Sequence, residues 1–128
     1  MAELAFRDGV MDRIRLRESR YDEQAYLFVL SALEYTQGRL DARRHISAAE
    51  LAGSCRDLAL ERYGVMSRIV LEKWGVNATM DIGEIVFTLV ELGFLVKQPN
   101  DTREEFAGVF DFEHAFEREY PWNAAPSA

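Results

Sequence analysis

Apolar side chains recur along the first ninety residues at the three- and four-residue spacing of helices. Phe6, Val10 and Ile14 stand four apart and predict a helix over about Glu3 to Arg17. Asp22 is placed to cap a second, over about Glu23 to Gln37. Its apolar face is Ala25, Tyr26, Val29, Leu30 and Leu33, widened by Phe28 and Tyr35. Ser47-Ala-Ala-Glu50 has capping-box spacing, in which the serine oxygen accepts from the Glu50 N–H and the Glu50 carboxylate accepts from the Ser47 N–H. Ile46 precedes it as a candidate staple. That helix runs to about Tyr63 with Leu51, Cys55, Leu58, Ala59 and Arg62 on one side. A short helix from Val65 to Trp74 carries Met66, Ile69, Val70 and Trp74. A last one, capped by Thr79 or Asp81, reaches about Leu92 with Ile82, Ile85, Val86 and Leu89 as its stripe. Leu30, Leu33, Leu51, Leu58, Ile69, Ile85, Val86 and Leu89 are the expected single core.

The period changes after Gly93. Phe94-Leu-Val-Lys97 is a short β-prone run, Gln98-Pro-Asn-Asp101 has turn chemistry, and Phe106, Gly108, Phe110 and Phe112 recur at every second residue. This pattern predicts a β-hairpin. Asp111 to Tyr120 can add a helical turn or two. All three prolines lie at or beyond position 99, so none interrupts the earlier helices. The expected fold is mainly α with a small β-hairpin, a winged-helix-like single domain over 1–122, followed by a flexible tail over 123–128. The alternative is a helical bundle with a hairpin appendage.

Length and composition narrow the classes of function. A chain of 128 residues, 48% apolar and 29% charged, suits one soluble domain. No apolar run approaches the ~20 residues of a membrane span, no signal-peptide pattern opens the chain, and Cys55 is the only cysteine. A cytoplasmic protein without a disulfide is expected. Residues 1–80 are neutral. Residues 81–128 hold three bases against ten acids, a net of −7 that accounts for the whole excess. A partner meeting that third is expected to be basic or apolar.

Chemistry is sparse. The two histidines, His45 and His114, belong to no pair at metal-ligand spacing, and Asp111 with His114 reads as a capped acidic turn. Cys55 lies on an apolar stripe with no neighbour in sequence that would stabilise a thiolate. Neither a G-x-S-x-G elbow nor a phosphate-cradling glycine loop is present. Gly53 and Gly83, inside helices, suggest close helix packing. No metal, cofactor or catalytic residue is assigned, and an enzyme is not expected.

Several segments resemble a small uncharacterised bacterial family of conserved hypothetical proteins restricted to the Verrucomicrobia–Planctomycetes group. They are Arg20-Tyr21, Ala25-Tyr-Leu-Phe-Val29, Ala32-Leu-Glu-Tyr-Thr36, Arg44-His-Ile-Ser47, Arg56-Asp-Leu-Ala-Leu60, Trp74-Gly75 and Gly83-Glu-Ile-Val-Phe87. The resemblance covers roughly residues 20 to 116. It implies a soluble bacterial protein and brings no catalytic residue, substrate or cofactor.

Two binding readings follow. At 100° per residue, Phe87 falls roughly 140° from the apolar centre of its helix, with Glu84, Thr88 and Glu91 on that side and Asp81 beside them. Either the chain's own C-terminal aromatic segment or first helix covers Phe87, or Phe87 anchors a partner site with Asp81, Glu84 and Glu91 as its acidic rim. The leading expectation is a non-catalytic protein-interaction or regulatory module that meets its partner through this acidic third. The alternative is a winged-helix DNA-binding transcription regulator using Arg39, Arg43 and Arg44. Acids on the would-be recognition helix and wing disfavour nucleic acid.

Overall fold

A computed structural model describes residues 20–40 and 45–118, the last two as backbone only. Four α-helices are present among them: α1 (Glu23–Gly38), α2 (Ala48–Tyr63), α3 (Ser67–Lys73) and α4 (Thr79–Glu91). Single helical turns stand at Gly64–Met66 and Arg103–Phe106, and a π-helical turn at His114–Arg118. The first expected helix, Glu3 to Arg17, and the tail over 123–128 lie outside the described residues.

The caps match the sequence closely. Asp22 accepts from the Gln24 N–H at 2.8 Å to open α1. Both halves of the Ser47–Glu50 box form, at 3.1 and 3.0 Å. The helix α4 opens differently. Its N-cap is Ala78, and the Asp81 carboxylate reaches back to the N–H groups of Asn77 and Ala78, at 2.8 and 3.1 Å. At its other end Gly93 adopts φ +87°. Its N–H donates to the Val90 carbonyl and that of Phe94 to the Leu89 carbonyl, which closes the helix as a Schellman turn.

The core lies between α1, α2 and α4. Tyr26, Val29, Ala32, Leu51, Ala52, Cys55, Leu58, Ile82, Ile85 and Leu89 are buried together. Leu30, Leu33 and Val86 pack at its edge, partly buried. Ile69 departs from the expectation: it is 56% exposed, and Val65 and Met66 are each 48% exposed. The short helix α3 turns Ser67 and Leu71 inward instead. The Ser67 hydroxyl lies 2.9 Å from the Ala59 carbonyl and 2.7 Å from that of Gly64. With Ser67 and Leu71 on the inner face, Ile69 falls on the opposite side of a helix at 100° per residue.

The β-hairpin, and with it the wing, is not formed among the described residues; the fold is a helical bundle. The Gln98–Asp101 turn does form, with the Asp101 N–H on the Gln98 carbonyl at 3.0 Å. The segments on either side spend their backbone groups elsewhere. The Phe94 N–H closes α4. The Thr102 N–H donates to the Glu105 carboxylate at 3.1 Å and starts a helical turn. The Phe106 carbonyl accepts from the Thr79 hydroxyl, whose oxygen accepts in turn from the Val109 N–H at 3.2 Å. Backbone groups satisfied in this way cannot enter a strand ladder. Of the aromatics expected on one strand face, Phe106 and Phe112 are buried, and Phe110, partly buried, stacks on Phe112 with ring centroids 5.8 Å apart.

Candidate functional site

The segment from Leu95 to Phe106 straps across α4 and leaves a groove of about 270 Å³ between itself, the end of α1 and the start of α2. Three contacts on α4 and one on the approach to α2 position this strap.

The first is Phe106 over Gly83. A β-carbon at position 83 would stand 2.8 Å from the Phe106 ring. Gly83 therefore serves close packing, as expected of a helical glycine, but against the strap and not against a helix. Gly53 has only the Arg56 guanidinium near it, at 3.9 Å, and makes no such approach. The second is Thr79, which both donates to and accepts from the strap backbone. The third is Arg103. It lies 3.4 Å from Glu84 and 3.3 Å from Glu91, with its guanidinium 5.5 Å from the centre of the Phe87 ring. The fourth is His45, whose Nε2 is 3.2 Å from Asp101. It ties the Gln98–Asp101 turn to the residues that lead into α2.

Apolar and polar groups are divided along the groove. Leu33, Leu51, Val86, Phe87 and Val90 furnish apolar surface, Lys97, Asp101 and Glu105 furnish charge, and His45 adds a polar imidazole. Val96 lines it too and is 93% exposed. Covering an apolar side chain so open to water gains roughly 25 cal/mol per Å² buried.

The residues singled out from sequence meet different fates. Phe87, Glu84 and Glu91 come together as expected, but the two acids hold Arg103 across Phe87. The expected first helix, the other candidate cover for Phe87, lies outside the described residues. Phe87 is partly buried and still lines the groove. Thr88, expected on the outer face, is buried. The wheel reading assumes a single buried face, whereas α4 is covered on two, by α1 and α2 on one side and by the strap on another.

Asp81 stands apart from that group. It accepts from the Tyr21 hydroxyl at 2.6 Å in addition to its two backbone donors. Burial first, then the hydrogen bond to this carboxylate, push the Tyr21 phenol above its ordinary range. Arg39 stacks on Tyr35, 5.1 Å from the ring centre. Arg43 and Arg44 lie outside the described residues. Cys55 is fully buried, which pushes its thiol up to about 12. His114 donates its N–H to Asp111 at 3.0 Å, the capped turn expected there. Among the described residues no three His, Cys, Asp or Glu side chains gather to hold a metal, and no helix is long and apolar enough to cross a membrane.

Sequence reasoning did not single out Val96, Lys97, Asp101 or Phe106 as groove residues. One signal was available. Thr102-Arg-Glu-Glu105 repeats the spacing of Ser47-Ala-Ala-Glu50 and marks a helical turn where a strand was expected.

Comparisons with protein-family models, curated proteins and solved structures gave no match, so no activity is carried to this groove from a relative.

Proposed function

We propose that this protein is a non-catalytic protein-interaction module, and that the groove beside the strap receives an apolar segment of a partner protein flanked by basic residues. The observation that carries this reading is Val96, 93% exposed on the rim of a groove whose wall is Phe87, Val86 and Leu51. An exposed apolar rim above an apolar wall gains free energy when an apolar side chain covers both. Charge supports the choice of partner. Asp101 and Glu105 stand on the groove, and residues 81–128 carry a net of −7. Such a field speeds association with a cationic segment and does so less as salt rises.

DNA binding draws less support. The wing on which that reading rested is not formed among the described residues, and Arg39 is stacked on Tyr35.

The test begins with capture of partners from the native cell by the full chain and identification by mass spectrometry. The captured protein is then purified and titrated against the chain at rising salt. Direct binding that weakens with salt supports the reading. A captured protein that binds only through bridging nucleic acid, with a shifted DNA duplex at low salt, favours the regulator instead.

A further inference from the structure

Leu95, Val96 and Lys97 follow one another along the groove and all three line it. The residues on either side have used their backbone donors. The Phe94 N–H closes α4 on the Leu89 carbonyl at 2.9 Å, and the Gln98 N–H donates to the Asp101 carboxylate at 2.7 Å. Between these anchors the N–H and carbonyl groups of Leu95, Val96 and Lys97 make no hydrogen bond among the described residues. The Lys97 ammonium turns to the Gln98 carbonyl at 3.3 Å and leaves its own main chain open. Three consecutive donors and acceptors thus depend on water in the free chain.

This open main chain discriminates between forms of partner. A segment that covers Val96 also takes water from the backbone beside it. An amphipathic helix has spent its own N–H and carbonyl groups internally, so it would bury those of residues 95–97 without offering them partners. An extended segment brings a donor and an acceptor at each residue and can pair with them. The local sequence fits that mode. Phe94-Leu-Val-Lys97 is β-prone, and Pro99 has no N–H with which to carry a ladder further. Charge selects a cationic segment over a second copy of this chain. Asp101 and Glu105 outnumber Lys97 on the groove, and the net of −7 over residues 81–128 makes two such faces repel.

We propose that the partner joins as an added strand: an extended segment of alternating basic and apolar residues pairs its main chain with Leu95, Val96 and Lys97, and its apolar side chains cover Val96. The inference rests on the reading of the groove as a partner site and specifies the form that the partner takes there. Alternate residues of a strand turn their N–H groups to opposite edges, so only one alternate set of the partner's amides is used.

The test is a nuclear magnetic resonance titration of the full chain with the capped peptide acetyl-KVKVK-amide and two N-methylated isomers of it. One isomer carries methyl groups on the amide nitrogens of both valines, the other on those of the second and third lysines. Side chains and charge are the same in all three. The parent peptide should shift the methyl resonances of Leu51, Val86 and Val90 and slow solvent exchange of the Leu95, Val96 or Lys97 amides. One isomer should bind at least about tenfold more weakly than the other. Shifted groove methyls with equal affinities for the two isomers overturn the added strand and leave the groove reading in place. Groove methyls that do not move with the parent peptide overturn both.

Discussion

Phe106 occupies the space that a side chain at Gly83 would need, its ring 2.8 Å from where a β-carbon would stand. One residue on a helix and one on an irregular strap are thereby fixed in register, and the groove wall depends on both. Gly83→Ala should cost about 1–3 kcal/mol, the range for forcing a methyl into a filled site. Gly38→Ala is the control. Nothing lies within 4 Å of a β-carbon there, and it closes α1 without a positive φ. That change should stabilise by about 0.4–1 kcal/mol. Urea titration of both variants should give shifts of opposite sign.

Arg103 bridges Glu84 and Glu91 over Phe87, and the three charged side chains stay 29–41% exposed. Ion pairs this open to solvent contribute about 0–1 kcal/mol, and a cation over a half-buried ring adds about as much. Arg103→Ala should therefore lower stability by no more than about 1–2 kcal/mol, and high salt should shrink part of the difference. A loss of several kcal/mol in thermal or urea unfolding would mean that the strap depends on Arg103 far more than on Phe106.

Cys55 gives a prediction at alkaline pH. Its thiol is pushed up from 9.0 to about 12 by burial in the fold. The folded state therefore keeps the proton that the unfolded chain gives up. Its contribution to stability is fully present below pH 9 and is lost as pH rises toward 12. The Tyr21 phenol, also raised, adds in the same direction. Urea midpoints should hold steady through pH 8 and fall above 9. Cys55→Ala should flatten part of that fall, although it lowers the midpoint at every pH. Under native conditions at pH 8, disulfide reagents should modify Cys55 only as fast as the fold opens.

Leu58→Ala should cost about 2–5 kcal/mol, since Leu58 is buried in the common core. Ser47→Ala should cost about 1 kcal/mol, because it removes one half of a capping box at the surface. Equal losses for the two, measured by calorimetric unfolding, would contradict the division between core and cap.

The helices were legible because each carries its own signal. Asp22 and Ser47 cap where their side chains predict, and the glycine after α4 closes it as a Schellman turn. The hairpin does not form for a reason that side-chain alternation does not register. Phe94 to Lys97 is β-prone and Phe106 to Phe112 has the alternation of a strand, but backbone donors and acceptors of the stretch are taken by Thr79, by Asp101 and by the end of α4. Thr79 lies 27 and 30 residues from its two partners, beyond a periodicity window, while Asp101 and the end of α4 are local and act through bonds that alternation does not register. The acid cluster around Phe87 was legible as a cluster, and its cation was not, because Arg103 comes from twelve residues past Glu91. Ile69 was expected inside on apolarity alone, whereas the fold buries Ser67 and Leu71 of the same short helix. Val96 was hidden because in a strand it would have had a partner.

The central claim is that the groove beside the strap is where a partner binds, and Val96 tests it most directly. At 93% exposure Val96 supports little of the fold, so its replacement isolates binding from stability. Isothermal calorimetry would compare the purified partner's affinity for the wild-type chain and for Val96→Arg, with thermal unfolding recorded for both. The account predicts an unchanged midpoint and an affinity at least about tenfold weaker, some 1.4 kcal/mol, from a lost apolar contact and a repelled basic flank. An affinity equal to that of the wild type would place the partner elsewhere and contradict the account.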